Sequence, residues 1–182
     1  EWKDRRLGLL NFLGIRLTVI DGFEALGDTL LTATVIRNIK RQHPRLKINC
    51  ITSHPDLLRL DPNIDSLNQS ETYFSVTSWY VDIRNSRDGS TNVLAPTLER
   101  LGIRDFGYTA EVHLSLEEKK VAGNLLQGLE RPLVSINCQI KEEVKNWPVE
   151  NWRELVAALA ESCSIVQLGS DTEPIIEGVA LR

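Results

Sequence analysis

Residues Ile15 to Thr52 leave this chain little freedom of architecture. The run Ile15-Arg-Leu-Thr-Val-Ile20 is apolar and β-branched, as expected of a strand buried on both faces. A glycine-bearing turn follows from Asp21 to Gly27. The pattern then changes period. Leu31, Val35, Ile36 and Ile39 fall at i, i+4, i+5 and i+8, on one face of a helix that Asp28 opens and that runs to about His43. Lys40, Arg41 and His43 suit the negative end of the helix dipole, and Pro44 stops the helix. Leu46–Thr52 reads as a second strand. Strand, helix and strand of these lengths make a βαβ unit, hence a parallel sheet.

The middle of the chain is less regular. A short helical piece is expected over Pro55–Leu60, then a turn at Asp61-Pro62-Asn63. Tyr73 to Ile83 suggest one or two strands, and Arg84–Asn92 a loop. Leu94–Leu101 reads as a helix closed by Gly102. Leu116–Leu129 reads as a polar helix with Ser115 as its N-cap. The first alternation then returns: a strand at Leu133–Asn137, a helix at Pro148–Glu161, a strand at Ser164–Gly169 and the opening of a further helix at Asp171–Gly178. The expected fold class is α/β. A Rossmann-like domain occupies residues 1–114, a connecting helix 115–131, and the first part of a second Rossmann-like domain 132–182.

Composition removes several function classes. A net charge of −4 disfavours non-specific nucleic-acid binding, which needs a basic field. No apolar run approaches the roughly 20 residues of a membrane-spanning helix. Three scattered cysteines, Cys50, Cys138 and Cys163, make no disulfide framework and fit a reducing, cytoplasmic setting. They form no zinc pattern either, and no metal site is expected. The chain contains no methionine and begins at Glu1, so it is expected to be a piece of a longer protein. Residues 1–13 combine Lys3, Arg5 and Arg6 with Leu7, Leu9, Leu10, Phe12 and Leu13. Such a stretch can touch a membrane surface peripherally. The blander reading is a segment packed on its own domain, with Gly8 counting against a helix.

Three places carry chemistry. Gly22-Phe-Glu-Ala-Leu-Gly27-Asp28-Thr29 imitates a Walker A loop, but Asp28 stands where the lysine should be and would repel a triphosphate. What remains is a carboxylate at a helix start, beside Gly27, at the ligand-binding edge of a parallel sheet. Asp28 could equally be an N-cap. Lys145-Asn-Trp-Pro148, with Lys141 before it, precedes a helix where a lysine can neutralise a diphosphate, or where a solvated loop carries mixed charges. Glu173 follows the strand ending at Gly169, where an acid can accept ribose hydroxyls or simply sit in a first helical turn.

In order along the chain these segments resemble glycosyltransferase family 9, the ADP-heptose:lipopolysaccharide heptosyltransferases and their relatives. The resemblance rests on Leu17-Thr-Val-Ile20, Gly27-Asp-Thr-Leu-Leu-Thr32, Arg37, Pro44, Asp61-Pro-Asn-Ile-Asp65 and Leu101-Gly-Ile103. It continues through Lys145-Asn-Trp-Pro148, Trp152-Arg-Glu-Leu155, and Gly169 with Glu173. It implies a GT-B fold and an inverting transfer from a nucleotide-sugar such as ADP-heptose to a lipopolysaccharide-type glycan or glycolipid, without cofactor or obligatory metal. Asp28 would then be the general base. Lys145 would bind the donor diphosphate, with Gly27 and Lys141 as further phosphate-loop candidates, and Glu173 would bind the ribose. The family's D-x-G-x-x-H donor segment would lie beyond residue 182. The loop Asn137-Cys138-Gln139-Ile140-Lys141 lacks the small hydroxyl residues common in the family, and residues 66–100 are short for it. Both departures suit a competing reading, a non-catalytic nucleotide- or sugar-binding module on the same fold.

Overall fold

The computed structural model describes residues 2–22, 25–70, 74–77, 94–139, 144 and 146–182, with side chains from Arg6 onward. The chain forms two compact units, Glu1–Ser115 and Leu116–Arg182. Among the described residues no helix is long and apolar enough to cross a membrane.

The first unit opens with α1 (Trp2–Leu13), β1 (Arg16–Ile20), α2 (Leu26–Gln42) and β2 (Lys47–Ile51). It continues with α3 (Pro55–Leu58), β3 (Ser66–Leu67), β4 (Ser75–Thr77) and α4 (Ala95–Arg100). The four strands form one sheet in the order β3-β2-β1-β4, and every pairing is parallel. β1 is buried on both faces through Leu17, Thr18 and Val19, as expected of a largely apolar, β-branched strand inside a parallel sheet. Ile36, Ile39, Leu46, Ile48 and Leu98 are fully buried in the core of this unit.

α1 forms despite Gly8, because tertiary packing outweighs the roughly 1 kcal/mol that glycine costs a helix. Leu7 and Leu10 enter the core, and the Asn11 side-chain oxygen accepts a hydrogen bond from the Arg45 backbone N–H at 2.9 Å. Leu9, Phe12 and Leu13 remain exposed.

α4 ends in a Schellman motif. The Gly102 N–H donates to Glu99 O and the Ile103 N–H to Leu98 O, both at 2.9 Å, while Leu98 and Ile103 are buried together. Gly102 holds φ at +80°, a conformation that costs an L-residue about 1–2 kcal/mol. Gly102→Ala is therefore expected to lower unfolding free energy by about 1–2 kcal/mol in urea titrations.

The segment Asp61-Pro-Asn-Ile-Asp65 is a structural staple. Asp61 Oδ1 accepts the Asn63 backbone N–H and its side-chain amide, each at 2.8 Å, closing an Asx turn. Asp65 Oδ2 accepts from Lys40 Nζ at 2.7 Å and from the Ile48 N–H at 2.9 Å, and its Oδ1 accepts from Lys47 Nζ at 3.0 Å. Burial pushes the Asp65 carboxyl up, but the bonds from Lys40, the Ile48 N–H and Lys47, with the Lys40 charge, outweigh it. The folded value lies below the ordinary carboxylate range. This group's stabilisation is thus present above the unfolded pKa of about 3.9 and fades as pH falls through the lower folded value. Asp65→Asn should be less stable than the parent at neutral pH in urea unfolding. The gap should narrow progressively below about pH 4.

The second unit contains α5 (Leu116–Leu125), β5 (Leu133–Ile136), α6 (Val149–Leu159) and β6 (Ser164–Gln167). α5 buries none of its residues. β5 and β6 pair in parallel around a core of Ile136, Cys138, Val156, Ile165 and Ile176. Val166 also forms a parallel bridge with Leu181.

The helix expected at Asp171–Gly178 does not form; the segment is a series of turns. The buried Gln167 side chain captures it. Gln167 Nε2 donates to Pro174 O at 2.8 Å, and Gln167 Oε1 accepts the Ile176 N–H at 2.9 Å. Pro174 offers no N–H to a helix, and Gly178 sits at φ +92°.

Candidate functional site

In the first unit the connections from β1 lead to β2 on one side, and β4 flanks it on the other. This makes the carboxyl end of β1 the switch point at which open parallel sheets bind ligands. The sequence candidates Gly27 and Asp28 lie there. Helix α2 starts at Leu26, two residues earlier than expected, with Ala25 as N-cap and no side-chain cap. The first helical bond, Thr29 N–H to Ala25 O at 2.9 Å, sets that start. Asp28 is consequently not the N-cap. It stands half-buried in the first turn, where the helix dipole favours a carboxylate. A Cβ on Gly27 would meet none of the described residues within 4 Å, so no clash there requires a glycine.

Behind this turn lies a polar cluster that sequence reasoning passed over. Asp21 Oδ2 accepts hydrogen bonds from Thr29 Oγ1 at 2.5 Å and from Thr52 Oγ1 at 2.9 Å. All three residues are buried. The signal was present as an aspartate directly after an apolar strand, but its partners come from two other segments. Cys50, buried in β2, has its thiol pushed up to about 12 by burial first, then by the Asp21 and Asp61 carboxylates. It is a packing residue, not a nucleophile.

The second unit presents Glu173 at the corresponding edge of its own sheet. The carboxylate folds back on the turn after β6. Its Oε1 accepts the Ser170 N–H at 2.9 Å and Ser170 Oγ at 3.3 Å. Its Oε2 is buried and finds no hydrogen-bond donor among the described residues. Glu173 lies against Gly169, where an added Cβ would stand within 3.0 Å of the carboxyl carbon and both oxygens. Glycine at 169 is what admits the carboxylate. Cys138, just past β5, is close enough to respond to it: burial, then the Glu173 charge, raises the thiol pKa.

Lys141 and Lys145 lie outside the described residues. The Trp147 ring meets Trp152 of α6 edge-to-face at 5.1 Å, tying the end of the Lys145-to-Pro148 segment to that helix. Among the described residues no group of three or more His, Cys, Asp or Glu side chains is placed to hold a metal ion.

The same architecture occurs in solved structures. A family 9 glycosyltransferase from Veillonella parvula superposes with a TM-score of 0.67 at 15% identity, over 91% of this chain and 69% of that one. The fold is that of the family 9 glycosyltransferases. The E. coli heptosyltransferase WaaC, solved with ADP, matches at a TM-score of 0.62 and 13% identity over 92% of this chain and 74% of its own. TibC, an iron-containing dodecameric glycosyltransferase from enterotoxigenic E. coli, matches at 0.61 and 18% identity, over 91% of this chain but 46% of TibC. No family model and no curated protein matches the sequence. The family 9 fold thus persists here at low identity.

Proposed function

We propose that the chain carries the base and part of the donor-binding surface of an inverting glycosyltransferase. The donor is a nucleotide-sugar of the ADP-heptose kind, and the acceptor is a lipopolysaccharide-type or related glycan hydroxyl. One observation carries the reading: in a fold shared with an ADP-bound heptosyltransferase, Asp28 stands at the carboxyl edge of the parallel sheet, at its topological switch point.

In the reaction the acceptor oxygen attacks the anomeric carbon, and its proton passes to the Asp28 carboxylate. The bond from the anomeric carbon to the donor phosphate oxygen breaks as the new glycosidic bond forms, so configuration inverts. Such a single displacement needs one base. The nucleoside diphosphate leaves with the bonding electron pair. Lys145, assisted by Lys141 and by backbone N–H groups at helix starts, is assigned to meet that charge. Glu173 is assigned to the ribose, whose hydroxyls would supply the donor that Oε2 lacks among the described residues. A lipid-linked acceptor would bring the chain to a membrane surface, and α1 leaves Leu9, Phe12 and Leu13 exposed for such contact.

A non-catalytic nucleotide-binding module is favoured by one feature, the buried Cys138 thiol in the loop where the family commonly has a hydroxyl. Two measurements separate the readings. Calorimetry with ADP tests nucleotide binding, and mass-spectrometric detection of ADP released from ADP-heptose in the presence of acceptor tests turnover. Binding with turnover supports the transferase. Binding without turnover supports the module, and no binding removes both.

A further inference from the structure

We propose that Asp21 is a positioning residue for Asp28, tying the first turn of α2 to the ends of β1 and β2. The inference rests on the reading of Asp28 as the base.

A buried carboxylate is costly unless its hydrogen bonds are met, and an apolar residue would fill the same space more cheaply. Asp21 is 7% exposed, yet it stands at the end of β1 with its charge compensated by hydroxyl donors from two other segments. Thr29, the residue after Asp28, is fully buried and directs its hydroxyl to Asp21. Thr52 lies just past β2 and is itself fixed. Its N–H donates to Asn68 Oδ1 at 2.9 Å, and its hydroxyl accepts the His54 N–H at 3.1 Å. The Asp21 backbone N–H donates to Ile51 O at 2.9 Å, so the anchor extends the β1–β2 ladder. The chain from α2 through Asp21 to Thr52 therefore refers the helix start to the sheet.

The Thr29 hydroxyl has a second acceptor, Ala25 O, at 3.2 Å within its own helix. One hydroxyl proton serves the nearer carboxylate at 2.5 Å first. Should Asp21 lose this bond, Thr29 can fall back on Ala25 O and the helix persists. What disappears is the registry of its first turn against the sheet, and with it the placement of Asp28. Displacing a reacting group by about 1 Å can cost ~100-fold in rate.

The test compares Thr29→Val, Thr29→Ser and Asp28→Asn by hydrogen–deuterium exchange and by ADP-heptose turnover with acceptor. Valine keeps the volume and removes the donor; serine keeps the donor. In Thr29→Val the amides of residues 29–33 should exchange about tenfold faster, as expected for loss of a hydrogen bond to a charged group. Turnover should fall about 10- to 100-fold in kcat with the donor KM unchanged. Thr29→Ser should restore both, which a simple packing defect would not predict. Unchanged exchange in Thr29→Val overturns the tether outright. Parental turnover in Thr29→Val beside an inactive Asp28→Asn overturns the positioning role alone. An active Asp28→Asn overturns the base assignment, and Asp21 then positions no base.

Discussion

Asp28→Asn is expected to lower sugar transfer by about 10²–10⁴-fold, the range that a positioned general base supplies. The substitution is nearly isosteric, so the first turn of α2 keeps its shape. Its lost charge–dipole interaction is worth only about 0.3–1 kcal/mol. Thermal unfolding should therefore change little while turnover collapses. That separation matters because the neighbouring Asp21 is also a carboxylate, and a buried one. Substituting Asp21 disturbs a hydrogen-bonded cluster joining three segments, so loss of activity there would be accompanied by local loosening. Asp28 is not the helix cap, since Ala25 occupies that position. Turnover equal to the parent in Asp28→Asn, measured as ADP release from ADP-heptose with acceptor, would falsify the base assignment.

The two carboxylates also show what sequence alone could deliver. The βαβ unit over β1, α2 and β2 was legible because both strand and helix write their burial as a period. Asp28 was legible as a site candidate because helix starts and strand ends can be located from that same pattern. That it is not the N-cap was hidden, because the true start depends on where the Thr29 N–H finds Ala25 O. The Asp21 cluster was hidden for a related reason: Thr29 and Thr52 are 8 and 31 residues away, and only the sheet brings them together. Asp65 is similar. A turn was legible from Asp61-Pro62-Asn63, while the grip of Asp65 on Lys40, Lys47 and the Ile48 N–H required the folded register of β2. In the second unit, the acid-rich start of residues 171–178 resembled a helix opening. The buried Gln167 amide, which imitates a strand partner, decided otherwise.

Glu173→Gln is expected to weaken ADP binding by about 10- to 100-fold, the equivalent of ~1.5–3 kcal/mol for hydrogen bonds to a charged acceptor. Glutamine keeps one acceptor oxygen, so the Ser170 bonds can survive and the fold should be unaffected in thermal unfolding. The buried Oε2, which has no partner among the described residues, is the atom at stake. A ribose hydroxyl would donate to a carboxylate oxygen there, whereas an amide nitrogen presents hydrogens instead. Gly169→Ala provides a second arm that keeps the charge and moves it: the new methyl would occupy the place of the carboxylate. Weaker ADP binding in both variants would mean that position and charge act together at this turn. Weaker binding in Gly169→Ala alone would point to the turn's shape, and parental affinity in Glu173→Gln would remove Glu173 from the donor site.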